Sequence, residues 1–156
     1  MVRPTWDEYF LKILRATSLR ATCDRGKCSC VITRDDRLLV TGYVGSPNGM
    51  DHCDDAGHFF HKVWDETGKE TEHCVRTVHA EQNAICDAAR RGIPLCGGTL
   101  YVTMEPCYTC AKMIIQCGIK RVVSLRKYKK SKDTRELFVA CGIAWEVLGE
   151  EMKYDG

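Results

Sequence analysis

The sequence predicts an α/β fold: a three-layer α/β/α sandwich on a mixed five-stranded sheet, an antiparallel hairpin followed by βαβαβ. Three observations predict it. Two β-rich runs, CSCVITR and RLLVTGY, are separated only by Asp35-Asp36, which reads as a hairpin. From His79 onward, helix-period and strand-period segments alternate, and crossovers through helices favour parallel neighbours. The length of 156 residues suits one compact domain, 1–156, with no repeat, low-complexity tract or linker.

Each element has its own signal. Residues 6 to 20 place Trp6, Tyr9, Phe10, Ile13, Leu14 and Leu19 at helical spacing, after Pro4 and a capping Thr5. The hairpin follows. Residues 45 to 78 then hold glycines, acids and four of the five histidines with little periodicity. They read as a long loop, functional or pinned by something other than its own hydrogen bonds. VHAEQNAICDAARRG is an amphipathic helix ended by Gly92 and Pro94. GTLYVTM is a strand, and PCYTCAKMIIQCG a helix with Pro106 at its start and Gly118 at its end. IKRVVSL is a strand, DTRELFVACG a helix capped by Asp133, and IAWEVL the last strand.

Composition narrows the functional classes. Hydrophobic residues make up 44% and charged residues 28%, which is globular rather than disordered or membrane-embedded. MVRPTWDEYF lacks the apolar stretch of a signal peptide, and no 18-residue apolar run follows, so the expected compartment is the cytoplasm. A net charge of +2 does not call for a nucleic-acid partner. Arg121, Arg126, Lys127, Lys129, Lys130 and Lys132 cluster locally, either as a solvated loop or as a cationic rim for a phosphorylated small molecule. The cysteine count, 11, is odd, which argues against a full disulfide framework. Cys30, Cys86 and Cys117 fit instead as small buried apolar residues.

The chemistry sits where two helices begin. His79-Ala80-Glu81 opens one, and Cys107-Tyr108-Thr109-Cys110 the other. Cysteines three apart on a first helical turn point to one side and reach one tetrahedral ion. A helix N-terminus also favours thiolates. His79, Cys107 and Cys110 supply three ligands and leave a fourth position for water, the mark of a catalytic zinc. Glu81, two residues beyond the histidine, is placed to take a proton from that water and deliver it to a leaving nitrogen. H-x-E followed by P-C-x-x-C is the signature of zinc deaminases acting on bases.

The chain resembles the deoxycytidylate (dCMP) deaminase family, within the cytidine-deaminase-like superfamily. HCVRTVHAEQNAI (73 to 85), TLYVTMEPCYTCAKMIIQCGIKRVV (99 to 123) and the glycine loop GYVGSPNG (42 to 49) carry the resemblance. It implies hydrolysis of dCMP to dUMP and ammonia, which feeds thymidylate synthesis. It also implies zinc on His79, Cys107 and Cys110, Glu81 as proton shuttle, dCTP or dTTP as effectors, and a homo-oligomer, often a hexamer. The family's loop reads G-Y-N-G-x-P-x-G, and here Val44 replaces the asparagine, which removes an amide from the nucleotide and effector contacts. Asn48 lies four residues on as a partial substitute. By analogy, backbone groups near Ala80 and Glu105 hold the base edge. Tyr128, in the loop after the fourth strand, either is a surface loop aromatic or stacks on or borders the nucleotide. Lys127, Lys129 or Arg126 meets its phosphate. TMEPC is also seen in tRNA adenosine deaminases, but those need a broad basic surface. The remaining alternatives are a zinc deaminase of dCTP, a free base or tRNA adenosine, and a catalytically idle nucleotide-binding regulator.

A second ion is a separate expectation. Some dCMP deaminases carry a structural zinc, and here Cys23 and Cys53 with one or two of His58, His61 and His73 would pin the irregular stretch. The competing reading is solvated histidines and buried thiols, because the spacing matches no standard finger.

Overall fold

The computed structural model describes residues 1–65 and 67–149. The first helix, α1 (Trp6–Ser18), starts at Thr5, whose hydroxyl accepts from the Glu8 N–H while the Glu8 carboxylate accepts from the Thr5 N–H. β1 (Ser29–Arg34) and β2 (Arg37–Tyr43) form the expected antiparallel hairpin. Asp35 and Asp36 turn it with φ of 50° and 57°, the left-handed pair that matches strand twist.

The second half alternates as read. It runs through α3 (Ala80–Arg91), β5 (Thr99–Met104), α4 (Tyr108–Gln116), β6 (Arg121–Arg126), α5 (Lys132–Ala140) and β7 (Ala144–Val147). The main sheet has the order β2-β1-β5-β6-β7. β1 pairs antiparallel with both β2 and β5, whereas β5, β6 and β7 are parallel. One face packs α1: Phe10, Leu11 and Leu14 lie on Val31, Tyr101, Val123 and Leu125. The other packs the remaining long helices: Ala80, Ala84, Ala88, Ala111, Ile114 and Phe138 lie on Cys30, Ile32, Val102 and Val122. That is the three-layer sandwich, with the C-terminal ends of β5 and β6 next to the starts of α4 and α5. No described helix is long and apolar enough to cross a membrane.

Two elements differ from the sequence reading. The stretch 45 to 78 is not wholly irregular. It holds a short helix, α2 (Cys53–Ala56), and a hairpin of β3 (Phe60–Trp64) with β4 (Glu70–Cys74) that forms its own two-stranded sheet. Most of its side chains face solvent, so no apolar alternation marks it. Asp65 shapes the turn by accepting from the backbone N–H of Thr67 and Lys69. The second difference is a cap: α5 begins after Ser131, and Asp133 lies inside its first turn.

One contact sets the height of α3 above the sheet. Gly42, opposite Cys30 in the hairpin, touches the start of the helix. A Cβ there would meet the Ala80 carbonyl oxygen and stand 2.6 Å from Ala84 N. Only glycine lets the helix lie this close.

Candidate active site

All three expected ligands fall at helix starts. His79 is the N-cap of α3 and Cys107 the N-cap of α4, with Cys110 on the first turn. The His79 N–H donates to the Gln82 side chain, which fixes the cap. Asn83 adds a tie unseen in the sequence reading, since its amide donates to the Tyr43 carbonyl at 2.8 Å and fastens α3 to the end of β2.

These ends bring three ligand atoms together. His79 Nδ1 lies 3.6 Å from Cys107 Sγ and 3.4 Å from Cys110 Sγ. Nitrogen and sulfur ligands of one tetrahedral zinc stand about 3.6 Å apart, given bonds of about 2.0 and 2.3 Å. The donor set therefore fits the ion. Its electrostatics agree. The hydrogen bond from Cys110, with help from His79, drives the Cys107 thiol down to about 4, while Cys110 moves up because the pair shares one proton. His79 shifts up through its bond to Cys107. Two helix N-termini and a shared thiolate make a compact site for a soft cation. His79 faces outward, Cys107 is half-buried and Cys110 buried, so the cluster opens to solvent on one side.

Glu81 is buried beside this triangle. Burial raises its carboxyl to about 7, opposed by its own backbone N–H and by His79. Behind it, burial and the Glu81 charge push the Cys28 thiol to about 11, and Cys30 upward. These two cysteines form an apolar floor and take no part in the ligand cluster.

The remaining sequence candidates scatter. Ala80 is buried under Gly42. Asn48 is exposed in a turn closed by the Met50 N–H on the Pro47 carbonyl. In the same loop the Ser46 hydroxyl is buried with no partner among the described residues, a group the sequence reading passed over. Glu105 uses its N–H on the Arg126 carbonyl, and its carboxylate on the loop that follows β6. Tyr128 in that loop is half-buried between exposed Lys127 and Lys129. Burial raises its phenol pKa, as does the Cys107 charge. Arg126 keeps one buried guanidinium nitrogen without a partner among the described residues.

A second cluster stands on the irregular stretch: Cys23, Cys53, His58 and Cys74, with ligand atoms all within 4.8 Å of one another. Cys53 Sγ lies 3.7 Å from Cys74 Sγ, and Cys23 Sγ 3.8 Å from His58 Nδ1. Sulfurs sharing a tetrahedral zinc stand about 3.8 Å apart. Asp24 holds His58 Nε2 at 3.1 Å, which turns Nδ1 toward the thiols. Burial opposes ionisation of Cys74, yet bonds from the backbone of Arg76 and Phe59 and from His58 outweigh it and bring the thiol to about 7. Burial lifts Cys53 to about 12. His61 and His73 are not in this cluster. They pair across β3 and β4 and are exposed, while Phe60 and Cys74 are the next rung. Adjacent strand residues face opposite ways, so His73 points out where Cys74 points in. His52 is occupied by the Thr22 hydroxyl at 3.0 Å.

Known proteins bear on this arrangement. The family model described as "Cytidine and deoxycytidylate deaminase zinc-binding region" matches residues 4–126. ComE operon protein 2 of Bacillus subtilis (strain 168) is 39% identical over 146 residues, covering 94% of this chain and 72% of that protein. The deoxycytidylate deaminase of Mycobacterium phage D29 is 43% identical over 127 residues, covering 79% of this chain and 96% of that protein. The Schizosaccharomyces pombe deoxycytidylate deaminase is 35% identical, and the chain spans only 43% of its length. Among solved structures, dCMP deaminase from the cyanophage S-TIM5, in complex with dCMP and dUMP, superposes with a TM-score of 0.74 at 26% identity. The match covers 94% of this chain and 99% of that one.

Proposed function

We propose a function that proceeds from one premise: this chain belongs to the family of zinc-binding cytidine and deoxycytidylate deaminases, and it hydrolyses dCMP to dUMP and ammonia. The observation that carries the reading is the meeting of His79, Cys107 and Cys110 at two helix N-termini, with buried Glu81 beside them. In this reading His79, Cys107 and Cys110 hold zinc. Bound there, the ion supplies the Lewis acidity that lets water lose a proton near neutral pH.

The chain's own groups do the rest. Glu81 accepts the proton of the water that attacks C4 of cytosine and gives it to N3, then carries the second proton, from the new C4 hydroxyl, to the departing amine. Burial suits it to that traffic, because a carboxyl lifted toward neutrality holds and releases a proton at little cost either way. Tyr128 borders the nucleotide, and Arg126, Lys127 or Lys129, beside it in the sequence, meets its phosphate. Cys23, Cys53, His58 and Cys74 hold a second zinc. With four protein ligands and no place for water, that ion is structural.

Ammonia release from dCMP, dCTP, cytosine and a tRNA adenosine stem-loop, each with and without added dCTP or dTTP, tests the proposal. Release from dCMP well above the others is expected. Faster release from any other substrate overturns the assignment, and nucleotide binding without ammonia points to a regulator. Control by the two effectors and assembly as a homo-oligomer belong to the same reading, the first scored in that panel and the second by sedimentation.

A further inference from the structure

We propose that Glu105 and Arg135 are positioning residues that hold the loop between β6 and α5, and with it Tyr128, against the nucleotide side of the site. The inference rests on the deaminase reading above. Glu105 directly follows β5, two residues before Cys107, and its side chain is only 4% exposed. A buried carboxylate needs full satisfaction, and this one has it. Oε1 accepts from Arg135 Nε at 2.7 Å, and Oε2 from Arg135 Nη2 at 2.6 Å. Oε2 also accepts from the Tyr128 N–H at 2.8 Å and the Ser131 hydroxyl at 2.6 Å. Three of these bonds fall on Oε2 and one on Oε1, so both oxygens of Glu105 are committed to protein partners. Its work is to hold.

What it holds is a segment with little support of its own. Lys127, Lys129 and Lys130 are exposed, and the internal ties between Tyr128 and Ser131 run from the Ser131 N–H and the Ser131 hydroxyl to the Tyr128 carbonyl, at 3.2 and 2.6 Å. The Tyr128 amide, and with it the backbone that carries the ring, is fixed by Glu105. Arg135 is steadied in turn, its guanidinium lying 5.5 Å from the centre of the Trp145 ring on β7. A chain of contacts therefore runs from β7 through Arg135 and Glu105 to Tyr128, on the same strand-to-helix turn that delivers Cys107. Pre-set geometry of this kind governs how well a nucleotide is seated rather than how its bonds are made.

Zinc-loaded enzyme carrying Arg135→Gln, Arg135→Lys, Tyr128→Leu, or Arg135→Gln with Tyr128→Leu tests the brace. Arg135→Gln is expected to raise KM for dCMP about tenfold while kcat and zinc content stay within about twofold. Arg135→Lys should recover part of that loss. Added to Tyr128→Leu, Arg135→Gln should change KM by less than about twofold, because both act through one ring. Multiplying effects, or a loss confined to kcat or zinc, overturn the proposal. Hydrogen exchange at the Tyr128 amide reads the brace without activity. Arg135→Gln should speed it at least tenfold while α4 amides hold, and unchanged exchange refutes the brace even if dCMP proves not to be the substrate. Absence of deamination by the parent enzyme, with the exchange effect present, counts against the function alone.

Discussion

Replacing Gly42 with alanine probes the contact that sets α3 over the sheet. The new Cβ would stand 2.6 Å from Ala84 N and 2.9 Å from Ala84 Cβ, where ordinary contact begins at 3.4 Å. Relief needs a shift of at least 0.8 Å, taken as 3.4 less 2.6, and the obstructing atoms include backbone. Side chains cannot step aside for it. Overpacking of this kind costs about 1–3 kcal/mol. For a chain of this size, each kcal/mol moves the melting temperature by about 2–4 °C, so a fall of about 2–12 °C is expected. The same shift moves His79 and Glu81 away from Cys107 and Cys110, which stand on a different helix. A misplacement near 1 Å can cost about 100-fold in rate. Thermal melts, zinc per chain and dCMP turnover on one preparation would read all three effects. A variant that melts within about 1 °C of the parent and turns over within twofold would show slack at this contact, and the reasoning would fail.

Three further outcomes are expected. Glu81→Gln keeps its zinc and loses turnover by about 10³-fold, the scale of a lost proton shuttle, and near-parental rates would remove Glu81 from the mechanism. Cys74→Ser lowers zinc from two per chain to one, as measured by plasma emission, and a parent protein that holds only one after metal-replete purification ends the second site. Asp7→Asn lowers the melting temperature at pH 7 by about 2–4 °C, from about 1 kcal/mol for a partly exposed bidentate pair. Asp7 accepts from Arg121 and from the Tyr101 hydroxyl, and the Arg121 bond is the main cause holding its pKa below the usual value. A depressed acid stabilises above its unfolded pKa, about 3.9. That contribution is lost as pH falls through the lower folded value, so the gap between variant and parent should close there. A gap that persists or widens in acid contradicts the ion-pair account.

Much of the fold could be read from the chain because its elements announce themselves locally. Asp35-Asp36 between two β-rich runs, and Gly92 and Gly118 after two helices, are short-range signals. The hairpin of β3 and β4 gives none, because its strands carry polar neighbours such as Lys62 and Glu70, 2.7 Å apart, in place of an alternating apolar face. At the site, His79, Glu81, Cys107 and Cys110 were legible for the same reason, each sitting within a turn of a helix start. The second cluster was half legible. Cys23, Cys53 and His58 were named, but the choice between His73 and Cys74 depends on strand facing, which a segment read as irregular cannot reveal. The Glu105 brace was hidden because its partners lie 23 to 30 residues away.

The hairpin of β3 and β4 shares no rung with the main sheet. Ladders confined to two strands are marginal in water, so this arm relies on Cys53, Cys74, Cys23 and His58 more than on its own hydrogen bonds. The molecule is therefore built with a fuse. Loosening those four side chains would free β3 and β4 together while the five-stranded body stays shut, giving a sub-global opening well below the free energy of complete unfolding.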